Sequence, residues 1–208
     1  MVDAPLIFVV DDDTDSRESA CALIQQMALQ VRSFSSAEQF LEEYDGYRPA
    51  CLLTDHRMLG MTGVELLEAL RSKGVTLSVI VMTAFAETDL TVRAIRSGAV
   101  TLLEKPFTNA KLWNAIRDAL AEDRDTAADE ARQRRIRAKL DMLTSGELDV
   151  LKLMLQGEAN KGMATRLEMS VRTIETRRAS VFEKMQVSSI AELVQLVMSV
   201  ELPQSGSA

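Results

Sequence analysis

The feature that most constrains this chain is a series of short apolar runs, each stopping at a polar residue and handing over to a helix-like segment. Leu6–Val10 runs into Asp11, Asp12 and Asp13, and Cys51-Leu52-Leu53 leads to Asp55. Ser78–Met82 stops at Thr83, and Val100–Leu103 stops at Glu104-Lys105-Pro106. A further strand is predicted around Gln30–Phe34. Runs this short and this apolar suit strands covered on both faces, the situation in parallel sheets. The intervening segments carry helical spacing and start signals. Cys21, Leu23, Ile24 and Met27 lie on one face of a helix from Glu18 to Met27, and Ser36 caps a helix from Ala37. Thr62-Gly63-Val64-Glu65 is a capping box opening a helix to about Ser72, and Gly98 stops a helix over Thr88–Ser97. The alternation predicts an α/β, doubly wound fold with a five-stranded parallel sheet over residues 1–120.

Parallel strands deliver their carboxyl ends to one edge, where sites in open α/β sheets lie. That edge would collect Asp11, Asp12, Asp55, Thr83 and Lys105. Each alone reads as ordinary: capping aspartates, a turn aspartate, a threonine, a surface lysine. Together they call for a common purpose, because three carboxylates in one site repel one another. A hard dication, Mg²⁺ (or Mn²⁺), suits a few carboxylates plus water and phosphate oxygens. Lys105 adds a mobile positive charge and Thr83 a hydroxyl donor. The set predicts a phosphoryl-transfer site with Asp55 as the acyl-phosphate acceptor. His56 is the only histidine, so a multi-histidine metal centre is excluded. Cys21 and Cys51 lack metal-type spacing and read as reduced core thiols of a cytoplasmic protein. No long apolar run or secretory leader is visible, so neither a membrane span nor secretion is expected.

No Pro or Gly occurs between Pro106 and Gly146. Leu112, Ile116 and Leu120 share a helical face, and the charged stretch that follows is rich in helix formers. One long helix from about Asn109 to Asp141 is expected, with 121–142 a linker extending the last helix of the first domain. Ile136, Leu140 and Leu143 form an apolar stripe along it. Residues 143–203 read as a separate all-α domain of four helices, with 204–208 a tail. The first begins at the capping box Thr144-Ser145-Gly146-Glu147; the second is Asn160–Leu167. The third, Val171–Met185, is capped by Ser170, with Ile174, Val181, Phe182 and Met185 inward and Arg172, Arg177, Arg178 and Lys184 outward. The fourth starts at Ser189 and continues to about Val200. A short helix, a tight turn and a helix presenting arginines describe a helix-turn-helix. The third helix carries four basic and two acidic groups, so a single copy is expected to hold DNA weakly and salt-sensitively.

The motifs FVVDDD, LLTDHRMLGMTG, VMTA and LEKPF resemble those of the receiver domain of two-component response regulators, over about residues 5–120. Residues 140–200 resemble the LuxR-type helix-turn-helix of FixJ-like response regulators. The first resemblance implies a flavodoxin-like fold and phosphorylation of Asp55 by a sensor histidine kinase. It implies Mg²⁺ held by Asp11, Asp12, Asp55 and the backbone carbonyl of Arg57. Thr83 and Lys105 would contact the phosphoryl oxygens, and Lys105-Pro106 would be a cis peptide. The second implies DNA contacts from Asn160, Lys161, Arg172, Thr173, Glu175, Thr176, Arg177 and Arg178. The implied partners are double-stranded DNA with a two-fold promoter site, RNA polymerase, and a second copy in a phosphorylation-dependent homodimer.

Departures from the family pattern are Leu59 in place of proline and Leu102 in place of the switch aromatic. In the second domain, Gly146 replaces a common arginine, Gly162 a common glutamate, and Arg177 a frequent histidine. An aspartyl-phosphate phosphatase is the enzyme alternative. Such enzymes place a second carboxylate two residues after the nucleophile, where this chain has Arg57. A regulator that uses the first domain only as a scaffold is the other alternative. Neither accounts for the full strand-end set, and the chain is expected not to be an enzyme beyond its own phosphoryl transfer.

Overall fold

The computed structural model describes residues 4–198 and 200; the expected tail at 204–208 lies outside them. The chain forms two compact units, Met1–Ala128 and Asp129–Ala208.

In the first unit, five parallel strands pair in the order β2-β1-β3-β4-β5: β1 (Leu6–Val10), β2 (Gln30–Phe34), β3 (Ala50–Asp55), β4 (Ser78–Thr83) and β5 (Thr101–Glu104). Strands β3 and β4 are buried throughout, which is why their sequences carry no polar alternation. Alternate side chains enter two cores. Phe8, Val10, Leu52, Val79 and Val81 pack against residues of α2 (Ala37–Glu43), α3 (Gly63–Ser72) and α4 (Thr88–Arg96). Ile7, Val9, Cys51, Leu53, Ile80 and Met82 face the other way, onto α1 (Thr14–Gln26) and the first half of α5 (Asn109–Asp141). Helix α1 starts four residues earlier than the apolar periodicity suggests. Asp13 caps it, accepting from Ser16 N–H at 2.7 Å, so the polar residues Thr14–Arg17 are already helical. The register pairs Val10 with Thr54, so Asp11, just past the end of β1, comes beside Asp55, the last residue of β3.

A buried carboxylate also lies away from this strand-end edge. Asp123 of α5 is fully buried, accepts from the Ala50 N–H at 3.1 Å, and lies 3.5 Å from the Arg48 guanidinium. This ties α5 to the start of β3, the end of the strand away from Asp55.

The second unit contains α6 (Ser145–Leu155), α7 (Asn160–Arg166), α8 (Val171–Met185) and α9 (Ile190–Val197). Their core includes Leu151, Met154, Met163, Ile174, Val181 and Leu193, and it takes in Ile136 and Leu140 of α5. The stripe read along the charged segment therefore belongs to this core. No helix among the described residues is long and apolar enough to cross a membrane.

Glu147 locks α6 to α8. Its carboxylate accepts from Thr144 N–H at 2.8 Å, Ser180 Oγ at 2.6 Å and Lys184 Nζ at 2.6 Å. Burial pushes its pKa up, but the bonds from Lys184, Ser180 and Thr144 overrule burial and hold it at about 2, below the ordinary 4.5. The stabilisation is therefore complete above pH 4.5 and is lost as pH falls toward 2. Glu147→Gln is expected to destabilise the second unit by on the order of 2 kcal/mol at neutral pH and to flatten this acid limb. Amide exchange of α6 and α8, measured across pH in both proteins, checks it.

Candidate functional site

The strand-end residues do assemble, with Lys105 at their centre. Its Nζ lies 2.6 Å from Asp55 Oδ1, 2.9 Å from Asp11 Oδ2 and 2.9 Å from Ser16 Oγ. These partners use all three ammonium protons. Burial would pull the lysine pKa down, yet hydrogen bonding and charge pairing with Asp55 and Asp11 outweigh it and leave the net shift upward. The second Asp55 oxygen accepts from Arg57 N–H at 2.7 Å. Asp11 accepts further from Ser16 Oγ at 2.6 Å and Asp13 N–H at 3.0 Å, and its carbonyl takes Arg17 Nη1 at 2.7 Å. The cis peptide Lys105-Pro106 follows β5 at this edge, and a second cis peptide joins Arg48 and Pro49.

Two expected members point elsewhere. The Thr83 hydroxyl is occupied by its own loop, donating to the Phe85 carbonyl at 3.1 Å and accepting from Phe85 N–H at 3.3 Å. Asp12 is held by a backbone donor, accepting from Leu59 N–H at 2.8 Å. As arranged, no three His, Cys, Asp or Glu side chains converge as a ready cage among the described residues. The donor set still fits Mg²⁺: Asp11 and Asp55 are neighbouring hard-oxygen ligands whose charge Lys105 now balances, and Asp12 is next in the chain.

Sequence reading missed Ser16 and the Leu59 N–H. The serine sits in the capped first turn of α1, reaching the strand end only because the helix begins early. The loop donor exists because residue 59 is not proline, which has no N–H. Leu59 itself is 83% exposed. The Arg57 guanidinium stands 5.7 Å from the centre of the exposed Phe85 ring. His56 is partly buried, and desolvation lowers its pKa against the pull of Asp55.

In the second unit, α7 and α8 meet through a turn in which Glu168 takes a left-handed backbone (φ 53°), and Ser170 caps α8. Arg172, Thr173, Glu175 and Thr176 are exposed along the first turns of α8, and Lys161 is exposed near the start of α7, beside half-buried Asn160. Thr173 and Thr176 hydroxyls bond locally to Ser170 Oγ and to the Arg172 carbonyl. Arg178 lies against the Phe182 ring at 5.9 Å.

The expectation that Arg177 and Lys184 face outward is corrected. Lys184 pairs with Glu147, and Arg177 is folded onto the first turn of α6, its guanidinium filling the space that a side chain at position 146 would need. Gly146 thus makes room for Arg177. The Nη1 of Arg177 is buried there without a hydrogen-bond partner. Gly162 likewise leaves room for the Glu158 carboxylate.

Two family models match the chain: the response regulator receiver domain over residues 7–117, and the LuxR family of bacterial regulatory proteins over residues 141–197. The chain is 36% identical over 192 residues to the transcriptional regulatory protein FixJ of Azorhizobium caulinodans, covering 92% of this chain and 91% of that one. It is 31% identical over 195 residues to the transcriptional regulatory protein TdiR of Thauera aromatica, covering 94% and 86% of the two chains. Among solved structures, the response regulator StyR matches with a TM-score of 0.80 at 33% identity, covering 95% of this chain and all of that one. Full-length FixJ of B. japonicum matches with a TM-score of 0.58 at 34% identity, covering 96% and 98%. With a five-stranded receiver carrying the aspartate pocket and a helical unit carrying the helix-turn-helix, this chain belongs to the FixJ-like two-component response regulators, transcription regulators that join a receiver to a LuxR-type DNA-binding domain.

Proposed function

We propose that Asp55 is the phosphoacceptor through which a sensor histidine kinase controls DNA binding by the second unit. The observation that carries this is the Asp55 carboxylate at the end of β3, largely buried, with Lys105 Nζ at 2.6 Å and Asp11 just past the end of the adjacent strand β1. A carboxylate oxygen of Asp55 attacks phosphorus, and the P–N bond of the kinase phosphohistidine breaks with its electron pair returning to the imidazole. Lys105 then has a phosphoryl oxygen to contact in place of carboxylate, and Thr83 must leave Phe85 to reach another. Asp11, Asp12, Asp55 and the Arg57 carbonyl would hold Mg²⁺, which neutralises charge on the transferring group. The phosphoryl group adds about −1.5 to −2 charge at this edge.

On the output side, Asn160, Lys161, Arg172, Thr173, Glu175 and Thr176 face double-stranded DNA. Arg178 joins them, and Arg177 does so by leaving its seat over Gly146. With only four basic and two acidic groups on α8, one copy binds weakly. Phosphorylation acts by favouring a homodimer that doubles these contacts on a two-fold site, where the regulator then meets RNA polymerase in the cytoplasm.

The test is intact-protein mass measurement after treatment with a small phosphodonor, followed by footprinting on promoter DNA. One phosphoryl group is expected with Mg²⁺ and none with a chelator, and protection of DNA should rise with the modified fraction. A protein that gains no mass, or gains it with no change in DNA protection, overturns the reading.

A further inference from the structure

We propose that the backbone N–H of Leu59 is a built-in competitor for the Mg²⁺ ligand Asp12, so that this receiver takes its dication more weakly than it would with proline at 59. The proposal rests on the reading of Asp11, Asp12 and Asp55 as the metal-binding set.

The geometry is specific. Leu59 N–H donates to Asp12 Oδ2 at 2.8 Å across 47 residues of sequence, while the leucine side chain is 83% exposed and contributes no core packing. The loop is held on its other side as well: Gly60 has a left-handed backbone (φ 82°), and Met61 N–H donates to Glu38 Oε1 at 3.2 Å. Leu59 N–H is therefore presented to Asp12 by a braced loop rather than by a freely moving one.

The consequence follows from donor chemistry. A carboxylate oxygen that accepts an N–H must give up, share or reorient that bond to ligate a cation. Hydrogen bonds to charged acceptors are stronger than neutral ones, so releasing this one weakens apparent metal binding. Proline at this position has no N–H and leaves the Asp12 oxygen free. The leucine thus sets the Mg²⁺ level at which Asp55 becomes competent, through its main chain and not through its side chain.

The test compares wild type, Leu59→Pro and Leu59→Ala as full-length proteins by calorimetric titration with Mg²⁺ alone, without a phosphodonor. Leu59→Pro is expected to bind Mg²⁺ about threefold to tenfold more tightly, the span of one charge-assisted hydrogen bond partly open to water. Leu59→Ala, which keeps the N–H, should match wild type. In the wild-type chain, exchange of the Leu59 amide should accelerate when Mg²⁺ is added. The proposal is overturned if Leu59→Pro binds no more tightly than wild type, if Leu59→Ala shifts as far as Leu59→Pro, or if the Leu59 amide is indifferent to Mg²⁺. The amide measurement decides the matter even where the proline variant fails to fold. Failure of wild type to bind Mg²⁺ at all would instead remove the metal-site reading itself.

Discussion

Asp55→Asn is expected to leave the chain folded, to abolish phosphorylation completely and to make DNA binding indifferent to a phosphodonor. A carboxamide has nearly the shape of the carboxylate it replaces but lacks the anionic oxygen that attacks phosphorus. It also keeps only one acceptor where Asp55 uses two, one for Lys105 Nζ and one for Arg57 N–H. Its NH₂ must then face one of those donors. The loss is limited, because Lys105 retains Asp11 and Ser16 as partners and removing one of two neighbouring carboxylates relieves their repulsion. The net change in stability should stay within about 1 kcal/mol, far below the roughly 3–5 kcal/mol of a buried ion left alone. Intact mass, Mg²⁺ titration and footprinting provide the check: no phosphoryl gain, weaker Mg²⁺ binding, and DNA protection fixed at the unphosphorylated level. Full activation of this variant by a phosphodonor would show that Asp55 is not the switch.

What the sequence makes legible here, and what it hides, divides along a physical line. Strand positions are readable because burial on both faces leaves unbroken apolar runs, Ala50–Leu53 in β3 and Val79–Met82 in β4, so Asp55 and Thr83 stand out just past where those runs stop. Helix starts at Ser36, Thr62, Thr144 and Ser170 were readable because capping is local, set by a side chain and an N–H three residues on. The start of α1 was hidden behind polar residues, and Ser16 with it. Contacts between distant segments were hidden for a different reason. Nothing near Asp123 announces Ala50 and Arg48, nothing near Arg177 announces Gly146, and nothing near Asp12 announces a main-chain donor at Leu59. Amphipathic spacing assigns Arg177 and Lys184 to the outer face of α8, but α6 lies beside that face and recruits both. The family departures at Leu59, Gly146 and Gly162 each acquire a spatial reason only once the neighbouring chain is in place.

Gly63→Ala should produce the largest loss of receiver stability, and it should act on Asp55 directly. Gly63 is the first residue of α3, and its N–H donates to the His56 carbonyl at 3.1 Å. A methyl group there would collide with the carbonyl oxygen of Asp55 and stand 3.0 Å from its carbonyl carbon and 3.1 Å from Thr54 Cγ2. Two of these three atoms are backbone at the end of a buried strand and cannot swing aside as the Arg177 guanidinium can at Gly146. The backbone at Gly63 is not left-handed, so the cost is steric and not conformational. Overpacking of this kind costs about 1–3 kcal/mol and sometimes more, against up to ~1 kcal/mol gained in helix propensity. A net loss of about 2 kcal/mol, seen as a fall of roughly 8 °C in receiver melting, is expected. Relief can come only by moving α3 or by moving Asp55. Movement of the nucleophile by about an ångström can slow transfer ~100-fold. Melting and the phosphodonor rate, measured on the same variant, separate the two routes. Lower melting with slow phosphorylation puts the displacement on Asp55, whereas lower melting at the wild-type rate puts it on α3 and leaves the pocket braced by Lys105.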